Sequence, residues 1–313
     1  MNLDPRQTAL IFPGQGSQAL GMGRELAETY PGAKQTFDQA DALLGSSLSL
    51  TMWEGPEQAL NDTINTQPAL MVHSVAALVV LQQRYPDFKP AFVAGHSMGE
   101  LSALVAAGSL PFPDALQLVR RRGELMKRAG EAGPGAMAAI LGLDIPTLED
   151  ICAQATDGED VVQVANDNCP GQVVISGARG ALERAVEMAQ KAGARRAVIL
   201  AVSIAAHSPL MAHAQADFNQ AVDLAPINAP APPIIANITA QAMDDADQVR
   251  ADLRGQLTNR VRWTESIQYM VARGVNIFLE IGSGSVLCGL IKRIDRNVEC
   301  LTLGSPADFD KLG

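Results

Sequence analysis

A single pentapeptide, Gly95-His96-Ser97-Met98-Gly99, limits what this chain can fold into more than any other stretch. Residues 90–94 before it predict a short buried strand, and residues 100–107 after it predict a helix that ends at Gly108. A serine in so sharp a strand-to-helix turn leaves no room for side chains two residues away on either side. The context therefore predicts a nucleophile elbow, with the Ser97 hydroxyl exposed at the positive end of a helix.

Length and charge narrow the class of protein. With 313 residues, the chain can form one large domain or a domain that carries a smaller insert. Its formal net charge of −10 argues against general nucleic-acid binding, so an anionic partner would have to meet a local basic patch. The longest apolar run, residues 69–81, is too short to span a bilayer, and residues 1–7 are not followed by the long apolar region of a signal peptide. We therefore expect a cytoplasmic protein without a membrane partner.

The cysteines point to the same compartment. They are scattered, without the spacing of a metal-binding motif, and the sequence implies neither a metal nor a redox cofactor. The pattern predicts four reduced thiols, at Cys152, Cys169, Cys288 and Cys300.

The first predicted strand, residues 8–12, runs directly into a glycine-containing loop at 13–18. Gly14, Gly16 and Ala19 fit a relaxed dinucleotide-binding fingerprint, but no strand ending in an acidic residue follows about 20 residues later. A tight strand-to-helix turn is the simpler interpretation. A third possibility is that exposed amides of this loop bind something near Ser97, because parallel strands align their carboxyl ends at one edge of a sheet.

Two helices on either side of the elbow carry candidate polar residues. The first is expected to be capped by Asn65 or Thr66 and to run to about Arg84, with His73 inside it as a core histidine. In the second, residues 112–129, Arg122 falls on the apolar face. An arginine there requires an anion or must extend towards solvent, and a structural salt bridge is an equally open alternative.

Residues 133–204 show a different pattern, with strands and helices in the order βαββαβ. This order predicts a ferredoxin-like subdomain, and Gly133-Pro134-Gly135 marks its start. The predicted fold class is α/β: a hydrolase-like core with a mostly parallel sheet, formed by residues 1–132 and 205–313, into which the subdomain at 133–204 is inserted.

Few histidines are available as a general base for Ser97. His96 adjoins the serine and must point away from it, and His213 lies well inside a predicted helix. His207 precedes a helix start at which Ser208 is a suitable N-cap and Pro209 a suitable first residue. By elimination, His207 is the best candidate for proton transfer.

Together, these motifs resemble the malonyl-CoA:acyl-carrier-protein transacylase family. The resemblance is carried by Phe12-Pro13-Gly14-Gln15-Gly16-Ser17-Gln18, by the elbow with Glu100, by Arg121-Arg122-Gly123 and by His207-Ser208. It covers nearly the whole length and includes the runs at 170–177, 256–264 and 280–284.

The resemblance implies a reaction and a set of partners. Ser97 would attack the thioester of malonyl-CoA while His207 takes its proton, and Arg122 would hold the free carboxylate of the malonyl group. The phosphopantetheine thiol of an acyl carrier protein would then accept the malonyl group, in fatty-acid or polyketide synthesis. The substrates are coenzyme A thioesters and the loaded carrier protein, and no further cofactor is implied.

The resemblance also assigns supporting roles. It places the oxyanion hole at the backbone N–H groups of Gln15 and Met98. It orients the histidine through a backbone carbonyl near Gln256, which gives a Ser–His dyad without a third acidic residue.

Two rival functions use the same sequence features. A serine esterase or thioesterase would also use Ser97, but it has no need for an arginine on an apolar face. A non-catalytic acyltransferase-like subunit of a synthase complex would be expected to lack Ser97, His207 or Arg122, and all three are present. For the oligomeric state, a monomer is expected.

Overall fold

The computed structural model describes residues 3–133 and 135–312, so Pro134 of the expected subdomain boundary lies outside the described residues. The strands are β1 (Thr8–Phe12), β2 (Phe92–Gly95), β3 (Gly135–Leu141), β4 (Val162–Cys169), β5 (Gln172–Ala178), β6 (Arg196–Ile199), β7 (Ile234–Ile235), β8 (Ala242–Met243), β9 (Ile277–Ile281) and β10 (Glu299–Leu303). The helices are α1 (Arg24–Thr29), α2 (Pro31–Leu44), α3 (Leu48–Glu54), α4 (Glu57–Asn61), α5 (Thr63–Arg84), α6 (Gly99–Ala106), α7 (Phe112–Ala132), α8 (Ile145–Ala155), α9 (Arg179–Lys191), α10 (Ala212–Leu224), α11 (Ala246–Leu253), α12 (Trp263–Val271), α13 (Val286–Ile294) and α14 (Pro306–Leu312). Short 3-10 turns lie at Pro5–Gln7 and Pro209–Met211.

A six-stranded sheet in the order β10-β9-β1-β2-β7-β8 forms the centre of the larger part of the protein. All its pairings are parallel except that of β7 with β8, which confirms the predicted α/β class with a mostly parallel sheet. Phe12 at the end of β1 pairs with Gly95 at the end of β2. The loop after β1 and the elbow after β2 therefore leave the sheet side by side at its carboxyl edge.

Apolar side chains cover both faces of this sheet. One cluster joins Leu10 and Phe12 to helices α5 and α7, and a second joins Ala9 and Ile11 to α12 and α13. The alternation follows from the pleat, since successive strand residues point to opposite faces. The sheet is therefore buried on both sides, as its nearly continuous apolar strands require.

Helix α5 starts earlier than the sequence pattern predicts. Its N-cap is Asp62, whose side chain accepts a hydrogen bond from the Ile64 N–H, so the expected caps Asn65 and Thr66 lie inside the helix. Pro68 also lies inside it and cannot donate to the Ile64 carbonyl four residues before, and the Arg120 guanidinium donates to that oxygen at 3.1 Å instead. The apolar run at 69–81 is therefore part of a longer, 22-residue helix.

By length and composition, α5 could cross a membrane, and it is the only such helix in the part of the chain that the structure describes. Most of its residues are buried against the rest of the protein. Its apolar composition is thus explained by its place in the core.

A second sheet has the order β4-β5-β3-β6, and all its pairings are antiparallel. Helices α8 and α9 bury their apolar residues against this sheet in a core of their own. A parallel bridge between Asn166 of β4 and Val261 joins the sheet to the segment before α12. This bridge holds β4 close to the chain that leads into the candidate site.

The prediction of four reduced cysteines is wrong for one pair. Cys288 in the first turn of α13 and Cys300 on β10 form a disulfide, with their Cα atoms 5.3 Å apart. The turn from β9 into α13 and back through β10 brings together two residues that are 12 apart in sequence. Cys152 and Cys169 are free thiols, both buried.

Candidate active site

The elbow has the geometry that its glycines require. Strand β2 ends at Gly95, α6 begins at Gly99, and Ser97 between them has a positive φ of 52°. A Cβ atom on Gly95 would lie 2.0 Å from the Gly99 carbonyl carbon, and one on Gly99 would lie 2.2 Å from the Phe12 carbonyl oxygen. Neither position can hold a side chain, because the atoms that it would meet belong to the backbone.

Asn237, just beyond β7, holds the strained turn in place. Its side-chain oxygen accepts the Ser97 N–H at 2.8 Å, and its side-chain nitrogen donates to the Gly95 carbonyl at 2.8 Å. These two bonds fix the backbone that leads from the end of β2 into the serine. Sequence reasoning did not find Asn237; the available signal was its place just after a buried strand that would end at the same sheet edge.

Ser97 and His207 lie in direct contact. The Ser97 Oγ is 2.8 Å from the His207 Nε2. The His207 Nδ1 lies 2.9 Å from the Gln256 carbonyl and 3.1 Å from the Asn259 carbonyl. Carbonyl oxygens only accept, so Nδ1 carries the proton and Nε2 is free to accept the serine hydroxyl.

Backbone and amide groups, rather than a carboxylate, orient His207. Gln163 on β4 donates to the carbonyl of His207 at 2.7 Å and to that of Thr258 at 2.9 Å. His207 itself has a positive φ of 59° and is only 2% exposed. A residue of the antiparallel sheet thus supports the histidine of the site, and sequence reasoning did not find it.

The surroundings of His207 keep it neutral. Burial, followed by the positive charge of Arg122, lowers the pKa of His207 to about 3. At pH 7 the imidazole is therefore uncharged and able to take a proton from Ser97.

Arg122 projects from α7 into the same site. Its guanidinium donates to Ser97 Oγ at 3.0 Å, to the Gln256 side-chain oxygen at 3.1 Å and to the Gln67 side-chain oxygen at 2.7 Å. It is 1% exposed, and burial lowers the pKa of Arg122 to about 10, which leaves it charged at pH 7. Within residues 3–133 and 135–312 no carboxylate forms an ion pair with it, so the structural salt bridge considered from the sequence is absent there.

The loop after β1 reaches the site as well. Gly14 packs so closely against the elbow that a Cβ atom there would lie 2.5 Å from the His96 carbonyl oxygen. The Gln15 side chain accepts a hydrogen bond from Thr63, which in turn accepts one from Gln67, the partner of Arg122. In the described part of the chain, the backbone N–H groups of Gln15 and Met98 have no acceptor and remain available.

The remaining histidines lie outside this cluster. The His96 Nε2 bonds the Asn168 side chain at 2.8 Å, so the ring points away from Ser97 as expected. His73 is buried with its Nε2 2.8 Å from the Gly304 carbonyl, and His213 is exposed. None of the three is placed to assist the serine.

One group of side chains has metal-ligand chemistry, and its atoms are already committed. Glu280, Cys288 and Cys300 have ligand atoms within 4.8 Å of one another. The two sulfurs are bonded to each other, and the two Glu280 oxygens accept the N–H groups of Leu287 and Cys288. The group therefore joins α13 to the sheet, and its two sulfurs are not thiolates that could bind a metal.

Comparisons with known proteins agree on one family. The family model described as "Acyl transferase domain" matches residues 9–302. The chain is 46% identical to the malonyl CoA-acyl carrier protein transacylase of Escherichia coli (strain K12), over 96% of this chain and 97% of that protein. An acyl carrier protein S-malonyltransferase from Vibrio cholerae superposes with a TM-score of 0.95 at 43% identity, over 98% of this chain and 100% of the other.

A third relative was solved with its partner. It is described as a type II PKS acyl-carrier protein in complex with its malonyl-transacylase. The similarity to it is 41% identity with a TM-score of 0.94, over 97% of this chain and 98% of the other.

Proposed function

The chain belongs to the acyl transferase domain family, and we propose that it transfers the malonyl group of malonyl-CoA to an acyl carrier protein through an ester on Ser97. One observation carries the choice of acyl group. A buried, charged guanidinium lies 3.0 Å from the candidate nucleophile and forms no ion pair with a carboxylate of the described residues. A buried cation of this kind is stabilised by an anionic partner, and the free carboxylate of a malonyl thioester provides one beside the reacting carbonyl.

Arginine suits this carboxylate better than lysine. Its planar fork donates two parallel hydrogen bonds to the two carboxylate oxygens and thereby fixes the orientation of the malonyl group. Gln67 and Gln256 hold two edges of the Arg122 guanidinium, so little freedom remains to be lost on binding. The third contact, from the guanidinium to Ser97 Oγ, lies where the substrate would enter.

Acylation then follows from the Ser97–His207 contact. The hydroxyl oxygen attacks the thioester carbonyl while Nε2 of His207 takes the hydroxyl proton. The tetrahedral oxyanion would accept hydrogen bonds from the backbone N–H groups of Gln15 and Met98, and one such donor typically contributes about 10²–10³ in rate. As the intermediate collapses, the carbon–sulfur bond breaks and the proton on His207 passes to the coenzyme A sulfur.

Transfer to the carrier reverses these steps. The phosphopantetheine thiol gives its proton to His207, and its sulfur attacks the malonyl ester. The ester bond to Ser97 breaks, and the proton returns from His207 to the serine oxygen. The backbone carbonyls of Gln256 and Asn259 stabilise the charged imidazole formed in each half, in place of the acidic residue of a triad.

The finer description of the fold is part of the proposal. Residues 1–132 and 205–313 would form a hydrolase-like acyltransferase core, and residues 133–204 a ferredoxin-like subdomain. The strand order β4-β5-β3-β6 and the separate core beneath α8 and α9 support this division.

We further propose a cytoplasmic monomer that serves fatty-acid or polyketide synthesis. The names of the relatives support a carrier-protein partner. The Cys288–Cys300 disulfide is unusual for a reducing compartment. Isolation of the protein in the presence of a thiol-blocking reagent tests the location: blocked thiols at both cysteines would agree with the cytoplasm, and an intact disulfide would argue against it. Light scattering during gel filtration tests the monomer.

Intact-protein mass spectrometry after mixing with malonyl-CoA tests the function. We expect the mass of one malonyl group on the protein and, after proteolysis, on the peptide that contains Ser97. Adding a carrier protein with a phosphopantetheine thiol should discharge the adduct onto that thiol. Acetyl-CoA in parallel should acylate the enzyme far less, because it leaves Arg122 without an anion.

The Ser97→Ala variant is the control and should take up no acyl group. An adduct that water removes as fast as the carrier thiol does would indicate the esterase or thioesterase function instead. A wild-type protein that forms no adduct would contradict the transacylase and favour the non-catalytic subunit.

A further inference from the structure

Two buried carboxyl groups lie directly beneath the candidate site. Glu100 in the first turn of α6 is 1% exposed, and Asp252 near the end of α11 is 6% exposed. The Asp252 Oδ1 accepts the Ile238 N–H at 3.1 Å, whereas Oδ2 forms no such hydrogen bond within the described residues. The Glu100 carboxyl and the Asn237 backbone N–H also interact with the Asp252 carboxyl. A single proton held between the two carboxyls satisfies that oxygen.

The pKa shifts of both carboxyl groups favour a proton shared between them. Burial raises the pKa of Glu100 well above its usual range, and the negative charge of Asp252 raises it further. Burial also raises the pKa of Asp252. Both shifts favour the arrangement in which one proton is shared and one negative charge remains on the pair.

The two oxygens of Glu100 each accept an N–H group of the site. One accepts the Asn237 backbone N–H at 3.1 Å, and the other accepts the Gln256 side-chain NH₂. The same NH₂ group donates to the Ser97 carbonyl at 3.2 Å. With its nitrogen between these two acceptors, Gln256 turns its side-chain oxygen towards the Arg122 guanidinium, 3.1 Å away.

We propose that Glu100 is a positioning residue, which fixes the Gln256 amide so that its oxygen holds Arg122 ready for the malonyl carboxylate. This inference rests on the proposed function. If the amide turned over, its NH₂ group would face an N–H of the guanidinium, and two donors would oppose each other in a buried site. Glu100 prevents that rotation because its oxygen facing Gln256 accepts, while the proton of the pair lies towards Asp252.

The separation of Glu100 from Arg122 also serves the substrate. The negative charge shared by the Glu100–Asp252 pair attracts the guanidinium through the Gln256 amide without a direct ion pair. A carboxylate in contact with the guanidinium would occupy the donors that the malonyl group requires. One intervening amide stabilises the buried cation and leaves its fork free.

The test compares Glu100→Gln with Asp252→Asn. Whichever way the amide introduced by Glu100→Gln is turned, its NH₂ group faces one of the two donors, the Asn237 N–H or the Gln256 NH₂. The backbone N–H is fixed, so Gln256 has to rotate and Arg122 loses its acceptor. The amide introduced by Asp252→Asn instead preserves the hydrogen bonds of the pair. Its oxygen accepts the Ile238 N–H, and its NH₂ group donates to Glu100 in place of the shared proton.

Two readouts separate positioning from a general structural role. One is malonyl transfer, and the other is the rate at which a neutral organophosphorus ester modifies Ser97, which does not use the carboxylate clamp. For E100Q we expect kcat/KM for malonyl transfer to fall about 10–100-fold, mainly through KM, as for a lost hydrogen bond to a charged group. The organophosphorus rate should stay within about threefold of the wild type. For D252N, both readouts should stay within that range.

An E100Q enzyme with unchanged malonyl transfer would overturn the proposal. So would equal losses in its two readouts, or a D252N enzyme that loses as much malonyl transfer as E100Q. If E100Q does not fold, D252N and the infrared spectrum decide: a protonated-carboxyl band at pH 7 must be weaker in D252N than in the wild type, and an unchanged band would overturn the proposal. The comparison is one of intensity because burial also raises the pKa of the Glu280 carboxyl, which both proteins contain. A wild-type protein without malonyl transfer would contradict the proposed function, which keeps the two failures distinct.

Discussion

At the scale of single residues, the site stores backbone strain at both of its reacting groups. Ser97 and His207 have φ values of 52° and 59°, in the left-handed region that residues with a side chain rarely occupy. Asn237 holds the first of these conformations by hydrogen bonds to the Gly95 carbonyl and the Ser97 N–H, and Gln163 holds the second by a hydrogen bond to the His207 carbonyl. These backbone conformations place the Ser97 Oγ above the sheet, in contact with the His207 Nε2.

Ser97→Gly should therefore be more stable than Ser97→Ala by about 1 kcal/mol, because glycine has no steric penalty at positive φ and loses only part of that gain to its larger entropy when unfolded. Urea denaturation of the two variants measures the difference. Both lose the serine hydroxyl and its hydrogen bonds, so the comparison isolates the backbone. Equal midpoints would show that the turn is unstrained.

The low pKa of His207 gives a prediction for the acid range. Because only the neutral imidazole accepts the serine proton, the rate at which a neutral organophosphorus ester modifies Ser97 should stay level from pH 8 to about 5 and fall only towards pH 3. The reagent does not titrate, so the profile reports the enzyme. Circular dichroism at each pH checks that the protein is folded. This control is needed because His207 is protonated in the unfolded chain below about pH 6.5 but not in the folded protein, so folding stability falls as the pH drops through this range.

The variant Arg122→Met provides the comparison. Removal of the positive charge should raise the pKa of His207 and move the acid limb of the profile upwards, although burial, the larger cause, keeps it below 6.5. A wild-type profile whose acid limb has its midpoint near pH 6.5 would show that burial and Arg122 do not lower the pKa of His207.

The sequence carries different amounts of information about these residues. Ser97 stands in a motif with a steric cause, and His207 is left by elimination among few histidines. Asn237, Gln67 and Gln163 belong to no local pattern, because an amide side chain becomes part of the site only when distant segments meet. Arg122 is intermediate: periodicity places it on an apolar face, but only the fold shows which groups it contacts.

At the scale of elements, the elbow is a contact between three backbones. The end of β1, the end of β2 and the start of α6 approach so closely that Gly99 lies against the Phe12 carbonyl and Gly95 against Gly99. Side-chain repacking cannot relieve a clash at either position, because the opposing atoms belong to the sheet and the helix themselves.

Gly99→Ala should accordingly lower the free energy of unfolding by more than about 3 kcal/mol or prevent folding, since the start of α6 would have to move away from the end of β1. Gly289→Ala is the matched control. Gly289 lies within α13 with nothing within 4 Å of its Cβ position, so alanine should raise stability by about 0.5–1 kcal/mol. Denaturation midpoints measure both, and a Gly99→Ala protein as stable as the wild type would contradict the close approach.

Element types follow from the sequence more closely than element ends do. Periodicity and β-propensity locate β1, β3 and the helix that carries Arg122. The start of α5 lies earlier than predicted because Asp62 caps the helix and Arg120 donates to the Ile64 carbonyl that Pro68 leaves unbonded. The second contact comes from a distant part of the chain, so local periodicity does not reveal it. The disulfide lies beyond sequence reasoning for the same reason, since its two cysteines meet only through the β9–α13–β10 turn.

At the scale of the whole molecule, the site is assembled from segments spread over most of the chain. The loop after β1, the elbow, α7, the segment before α10 and the segment after α11 each supply a part. The antiparallel sheet contributes Gln163, so it also helps to hold the histidine. We therefore expect the site to form in one cooperative step with the tertiary structure.

The central place of β1 has a consequence for how the protein is made. This strand leaves the ribosome before β2 and β9, between which it lies, and Asn276 beside β9 contacts Gln7 across 269 residues of sequence. Until that late segment is synthesised, one edge of β1 has no partner and offers a template on which other nascent chains can pair. Chaperone capture during translation would protect that edge until the later strands cover it.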